Sequence, residues 1–207
     1  MPVQIGAQVH NFTDPTGLLS DCHRRIEMFL GVLQGVGEVI DQAPTEETRR
    51  SLESALRYFG QAAPKHTADE EESLFPRLRQ VQSAEVVASL SQMDRLEEEH
   101  SAVAPLHARV ERLGVEYLAS GKLNAAEVRE FRESVASLAE MYQQHIRIED
   151  EVVFPLAARV LPEKEKAAIA EEMAKRREAK LVVQSTGVAE ADGTARGCDS
   201  ARKREKA

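Results

Sequence analysis

Two stretches of the chain, HTADEEESLFP at residues 66–76 and HIRIEDEVVFP at residues 145–155, carry one shared pattern. Both fit H-x3-E-[ED]-E-x2-F-P, with an offset of 79 residues. A histidine and a glutamate four residues apart share one helix face, about 5–6 Å apart at Cβ. Each pair continues an apolar helical stripe, where a helix bundle normally buries aliphatic side chains. Because a buried carboxylate costs several kcal/mol unless it is paired or metal-bound, two matching pairs indicate a metal site.

A single histidine precedes each pair, and these two, His23 and His100, are 77 residues apart. The chain therefore reads as two helical hairpins, each with one histidine on its first helix and His-x3-Glu on its second. Two such hairpins packed together would bring four imidazoles and two carboxylates to one level of the core. The predicted metal ligands are His23, His66, Glu70, His100, His145 and Glu149. Mixed imidazole and carboxylate ligation favours iron, while zinc and manganese stay open on ligand type alone.

The rest of the sequence predicts helices, since apolar residues recur at gaps of three and four and few segments alternate with a period of two. A first helix should begin at Thr13-Asp14-Pro15, and Thr45 can cap the second. Pro64 should bend the second helix just before His66, and the third should end near Gly121. We predict an all-α fold, an up-down-up-down four-helix bundle with an extra C-terminal helix and a disordered tail. The predicted divisions are an N-terminal extension at 1–14, the bundle at 15–161, the C-terminal helix at 162–180 and the tail at 181–207.

Composition narrows the classes of function. A chain of 207 residues can form one domain with a real core, and its net charge of −8 argues weakly against nucleic acid as a partner. The longest apolar runs are too short to span a bilayer, and nothing at the start resembles a secretory signal. The two cysteines, Cys22 and Cys198, exclude a disulfide framework and a thiolate zinc site. We expect a cytoplasmic protein with neither a membrane nor a nucleic acid as partner, and the sequence leaves its oligomeric state open.

The order and spacing of these residues, with the Phe-Pro that follows each pair, resemble the hemerythrin-like (HHE cation-binding) family over roughly residues 15–160. The resemblance implies a four-helix bundle around two non-haem iron ions with an oxo or hydroxo bridge. By position, the two histidines of each hairpin would bind one iron, and Glu70 and Glu149 would bridge the ions.

Two departures separate this chain from the oxygen-carrying hemerythrins. Those carriers have a second histidine four residues after the one on the third helix, where this chain has Ala104, and they end with His-x4-Asp instead of His-x3-Glu. Four histidines with two glutamates look more like the di-iron domain of the repair-of-iron-centres proteins. Fewer histidines leave more open positions on the metal. The resemblance implies a protein that binds or reacts with O2, NO or peroxide, or alternatively an iron-handling or iron/oxygen-sensing module without turnover. Whether the chain is an enzyme is left open.

Two kinds of supporting residue are expected near the ligands. His107 lies one heptad after His100, roughly 10 Å further along the helix axis, so we expect a structural role for it rather than ligation. A metal-bound histidine usually turns its second ring nitrogen toward an acceptor, and Asp21 or Glu99 are the candidates for His23 and His100.

The remaining polar candidates have weaker signals. Tyr142, one turn before His145, could donate a hydrogen bond to a bound ligand, although such a residue more often only packs. Glu27 and Glu97 are expected on solvated helix faces, His10 is expected to be exposed, and Cys22 is expected in the core.

Overall fold

The computed structural model describes residues 11–178. Two of the four long helices are continuous, and each of the other two is interrupted by a π-helical turn. The elements are α1 (Pro15–Val39), α2 (Glu46–Gln61), α3 (Ala63–Asp69), a π-helical turn π1 (Glu70–Leu74), α4 (Phe75–Leu78), α5 (Ala84–Ser120), α6 (Ala125–Ile148), a second π-helical turn π2 (Glu149–Val153), α7 (Phe154–Val160) and α8 (Glu163–Arg176). Residues 11–178 contain no strand, so the predicted all-α fold is confirmed.

The helix ends follow the local chemistry of the sequence. The Asp14 side chain accepts a hydrogen bond from the Gly17 amide at the start of α1, and Thr45 does the same for Thr48 at the start of α2. Gly121 ends α5 with a φ of +73°, a left-handed conformation in which glycine has no Cβ to clash. These predicted boundaries are confirmed.

Four helical rods form the bundle. The first is α1, the second runs from α2 to α4, the third is α5, and the fourth runs from α6 to α7. The first rod packs against the second and the fourth, and the third packs against the same two, which closes the ring of an up-down-up-down bundle. Helix α8 packs on α1, α3 and π1 at one end. Pro64 lies in the first turn of α3, directly after the break at Ala62, where a bend was predicted.

The apolar interior has two parts, which meet at the level of His23. Toward the end where α1 joins α2, Ile26 and Leu33 belong to one buried cluster. Toward the opposite end, Leu19 belongs to a second cluster, which includes Ile169 and Met173 of α8. The bundle therefore holds a polar layer between two apolar ones.

The predictions for the ends of the chain are tested only in part. Helix α8 lies within the predicted 162–180 segment. The predicted tail at 181–207, with Cys198, and the predicted exposure of His10 lie outside the described residues, and the division of the chain into segments stays a prediction. Across residues 11–178, each helix falls short of the length and apolar character that crossing a lipid bilayer demands.

Candidate metal centre

Both copies of the H-x3-E repeat contain the same local irregularity. Each ordinary helix ends just before the glutamate, and a π-helical turn begins at Glu70 and again at Glu149. In these turns the amide of Phe75 or Phe154 donates to the carbonyl of the glutamate five residues earlier. The proline that follows each phenylalanine has no N–H for the regular i−4 bond, which favours a wider turn there. The sequence reasoning did not predict these turns, although the repeated Phe-Pro was their signal.

The structure brings all six predicted ligands together in the polar layer. His23 lies on α1, His66 on α3, Glu70 on π1, His100 on α5, His145 on α6 and Glu149 on π2. Five of them are at most 4% exposed, and the side chain of His100 is 8% exposed. Within the described part of the chain, two groups of atoms that lie within 4.8 Å of one another could hold a metal ion: one from His23, His66, Glu70 and Glu149, the other from His100, His145 and Glu149.

The histidines form two pairs, one from each hairpin. The ring centroids of His23 and His66 are 4.8 Å apart, and those of His100 and His145 are 4.6 Å apart. Each pair therefore presents two imidazoles to one point in the core.

Each glutamate lies between the two pairs. Oε1 of Glu70 lies 3.1 Å from His66 Nε2 and 3.9 Å from His23 Nε2, while its Oε2 lies 3.5 Å from His100 Nε2. Oε1 of Glu149 lies 3.2 Å from His145 Nε2, and its Oε2 lies 3.1 Å from His23 Nε2. Each carboxylate thus directs one oxygen to each histidine pair.

These short distances do not form hydrogen bonds. Among the described residues, both oxygens of Glu70, both oxygens of Glu149 and Nε2 of His23 are buried without a hydrogen-bond partner. Buried polar atoms in folded proteins almost always have one. Carboxylate oxygens and imidazole nitrogens that converge in the interior without hydrogen-bond partners fit a cation, so the chemistry of the donor set agrees with a metal site.

Three of the histidines are oriented through their other ring nitrogen. Nδ1 of His23 donates to Asp150 at 3.0 Å, and Nδ1 of His100 donates to Glu71 at 2.8 Å. Nδ1 of His145 donates to Glu99 at 2.9 Å. Such acceptors fix the ring and make Nε2 a better ligand.

The predicted acceptors were therefore wrong for His23 and His100. Glu99 does serve as an acceptor, but for His145, and Asp21 forms an ion pair with Arg24 on its own helix. The true acceptors follow the glutamates of the repeat and reach across from the other hairpin. Their signal in the sequence was the [ED] position of the repeat itself.

Burial and the neighbouring charged groups together set the protonation of the metal-free site. Removal from water, together with the nearby charges of Glu149 and Asp69, raises the pKa of Glu70 well above its ordinary value. Burial would raise the pKa of Glu149 too, but contacts with His145 and His23 outweigh it and hold that pKa well below the ordinary value. Burial also lowers the pKa of His66. A neutral imidazole is the form that binds a metal.

A small cavity of about 10 Å³ adjoins the cluster. All four histidines line it, together with Tyr142, Thr67 and the apolar side chains Ile26, Ala63 and Ile146. Its size is close to that of one water-sized molecule.

The other polar candidates lie outside the cluster. His107 packs on Phe59 and hydrogen-bonds through Nε2 to the Tyr142 hydroxyl at 2.9 Å, and burial lowers its pKa to about 4. Glu27 is exposed, and Glu97 pairs with Arg79 at the surface. Cys22 is buried, as expected.

Comparison with known proteins agrees with this arrangement. A 94-residue stretch is 29% identical to an uncharacterized protein of Haemophilus influenzae, covering 45% of this chain and 52% of that relative, so the chain spans about half the relative's length. The family model described as the hemerythrin HHE cation binding domain matches residues 14–157, which is more than half of the chain and includes all six clustered residues. The chain therefore belongs to the hemerythrin HHE cation-binding domain family.

Proposed function

We propose that this chain holds two non-haem iron ions in the polar layer and that the pair binds or reacts with a small ligand, O2, NO or peroxide. The observation that carries the proposal is the position of Glu70 and Glu149. Each directs one oxygen to each of two histidine pairs, which is the arrangement that two bridged ions require.

The histidines and the glutamates would have different roles in binding the two ions. The histidine pair of each hairpin holds one ion, and the two glutamates hold the ions side by side and offset part of their charge. Two imidazoles and two carboxylate oxygens for each ion leave positions open on iron, whose sites with few protein ligands bind exogenous molecules. When bound, the iron pair supplies reversible ligand binding or electron transfer to the ligand.

The cavity supports a small ligand. Its volume of about 10 Å³, close to that of one water-sized molecule, favours a very small ligand over an organic substrate of ordinary size. Ile26, Ala63 and Ile146 make part of its wall apolar. His107 holds the Tyr142 hydroxyl at 2.9 Å, so the phenol has a fixed position at the cavity wall.

Metal content tests the proposal. Protein made in iron-replete medium should contain two irons per chain, whereas fewer than one would contradict the di-iron centre. His100→Ala should lower the content, because it removes a member of one pair. His107→Ala is the matched control, since this histidine lies in the same helix but outside the cluster, and it should keep two irons.

Reactivity needs a separate test. Reduced, iron-loaded protein should change its visible spectrum on exposure to NO, oxidise rapidly in air and consume hydrogen peroxide. The same protein loaded with Zn²⁺, which has no redox chemistry, should do none of these. An iron-loaded protein that behaves like the zinc form would contradict a role with these ligands.

One observation favours a second candidate function, an iron-handling or sensing module. Asp69, directly before Glu70, is fully buried, and its carboxylate pairs with Arg176 at 2.9 Å and with Arg177 at 2.5 Å. Helix α8 ends at Arg176, so metal occupancy beside Glu70 would be coupled to the docking of α8. Amide hydrogen exchange should then slow in α8 when iron binds. Equal exchange in α8 with and without iron would contradict the sensing role and leave ligand chemistry as the function.

A further inference from the structure

The two histidine pairs differ at one ring nitrogen. Nδ1 of His23, His100 and His145 each has a carboxylate acceptor at 2.8–3.0 Å. Nδ1 of His66 has no hydrogen-bond partner among the described residues, although His66 is only 4% exposed. The two hairpins therefore differ in the hydrogen bonding of this nitrogen.

The repeat indicates which position of the first hairpin corresponds to the missing acceptor. The acceptor for His145 is Glu99, which directly precedes His100. The corresponding residue of the first hairpin directly precedes His23, and it is Cys22. The other two acceptors occupy equivalent positions, because each directly follows a glutamate of the repeat. A neutral thiol therefore replaces one carboxylate of an otherwise matched set of four.

The missing acceptor has a consequence for metal affinity. A carboxylate on the second ring nitrogen orients a metal-bound histidine and makes it more basic, and losing it typically lowers affinity about 10–100-fold. In the described part of the chain, no such carboxylate orients the ring of His66 or makes it more basic. Glu99 does both for His145, its counterpart in the other hairpin.

The surroundings of Cys22 accept a negative charge. Nη2 of Arg25 lies 3.9 Å from the Cys22 sulfur, and Arg177 also lies beside the thiol. The Arg25 guanidinium group would offset part of the charge of a carboxylate at position 22, so we expect a glutamate there to be tolerated.

We propose that the two metal positions differ in affinity, that the position held by His23 and His66 releases its ion about 10–100-fold more readily, and that Cys22 sets this difference. The inference rests on the proposed function, since it needs two bound ions. It gives the chain a state with one retained ion at His100 and His145 and one exchangeable ion. Such a state suits a protein that takes up or gives away a single metal ion.

Chelator competition with Zn²⁺-loaded full-length protein tests the inference, with bound zinc counted at each chelator concentration. Wild-type protein should lose its two ions in two steps, separated by about 10–100-fold in chelator concentration. Cys22→Glu, which copies the other hairpin, should merge them at the higher concentration. Cys22→Ser, which adds no charge, should keep both steps.

The converse variant covers the case in which Cys22→Glu does not fold. Glu99→Cys removes the acceptor from His145 and should shift the tighter ion to the lower chelator concentration. Loss of both ions in a single step from wild-type protein, or an unchanged tighter step in Glu99→Cys, would overturn the inference while leaving two-ion binding intact. Wild-type protein that loads no zinc and no iron would instead end the proposed function.

Discussion

Replacing Glu70 with glutamine keeps the shape of a fully buried side chain and exchanges an ionisable carboxyl group for a neutral amide. In the metal-free protein both oxygens of Glu70 lack hydrogen-bond partners among the described residues, and burial raises the pKa of the carboxyl group well above its ordinary value. Glutamate is thus a poor residue for stability at this position. We therefore expect Glu70→Gln to stabilise the metal-free bundle.

The size of the effect follows from the unpaired group. A buried polar group without a partner costs about 1–3 kcal/mol, and the amide of glutamine can donate to the neighbouring Glu149 carboxylate. The free energy of unfolding of metal-free Glu70→Gln should therefore exceed that of the wild type by about 1–3 kcal/mol. The melting temperature should rise by roughly 2–4 °C for each kcal/mol.

Bound metal should reverse the order of stability of the wild type and Glu70→Gln. A ligand present at a thousandfold excess over its dissociation constant adds about 4 kcal/mol to the stability of a protein that binds it only when folded. Wild-type protein should gain about that much for an ion bound at such an excess, whereas Glu70→Gln should gain less because a bridging carboxylate is gone. Wild-type protein should therefore be the less stable of the two after chelation and the more stable with Fe²⁺.

Thermal and urea unfolding of both proteins, after chelation and with Fe²⁺ under anaerobic conditions, measure the reversal. Glu27→Gln is the matched control, because this glutamate is exposed on α1, and it should change stability by less than about 0.5 kcal/mol in both states. A metal-free Glu70→Gln protein that is less stable than the wild type, or equal stabilisation of both proteins by iron, would contradict this prediction.

Three further predictions concern other parts of the bundle. Because burial lowers the pKa of His107 to about 4, the unfolded state binds more protons between pH 6.5 and 4. From pH 7 to pH 4.5 the metal-free wild type should therefore lose about 2 kcal/mol more stability than His107→Phe, and parallel urea-unfolding profiles would contradict this. Arg177→Gln should destabilise by about 1–3 kcal/mol, because Asp69 is buried, and Asp69→Asn in that background should recover most of the loss in urea unfolding. A Cβ at Gly114 would lie 3.0 Å from a Leu56 methyl carbon, whereas Gly35 faces open space, so Gly35→Ala should raise the melting temperature and Gly114→Ala should raise it less or lower it.

Much of the fold could be predicted because its determinants are local. The caps at Asp14 and Thr45 and the left-handed Gly121 depend on residues within one turn of the helix end. The two π-helical turns could not be predicted from apolar periodicity, since one inserted residue alters the pattern too little to be distinguished from the ordinary alternation of gaps of three and four. The prolines after Phe75 and Phe154 marked the place without identifying the geometry.

The candidate site, too, could be predicted from the sequence only in part. The H-x3-E spacing predicted which side chains converge, because residues i and i+4 share a face whatever the bundle does around them. The predicted acceptors for Nδ1 of His23 and His100 were wrong, because both candidates lay on the same helix as the histidine. Asp150 and Glu71 reach those rings from the other hairpin, and only tertiary packing determines such contacts.

Two differences between the hairpins could make the metal positions unequal in affinity: the charge of Arg177 beside the first hairpin, and the missing acceptor on His66. The surroundings of Arg177 distinguish the two explanations. Arg177 lies beside the first hairpin, but its charge is largely offset by the buried Asp69 carboxylate 2.5 Å away, so it should have little net effect on a cation in the polar layer. The missing acceptor on His66 is not offset by any described residue. Arg177→Gln should therefore weaken the docking of α8 and leave the two chelator steps in place, whereas Cys22→Glu should merge the steps. If Arg177→Gln merged them instead, the inequality would come from the arginine and not from the thiol.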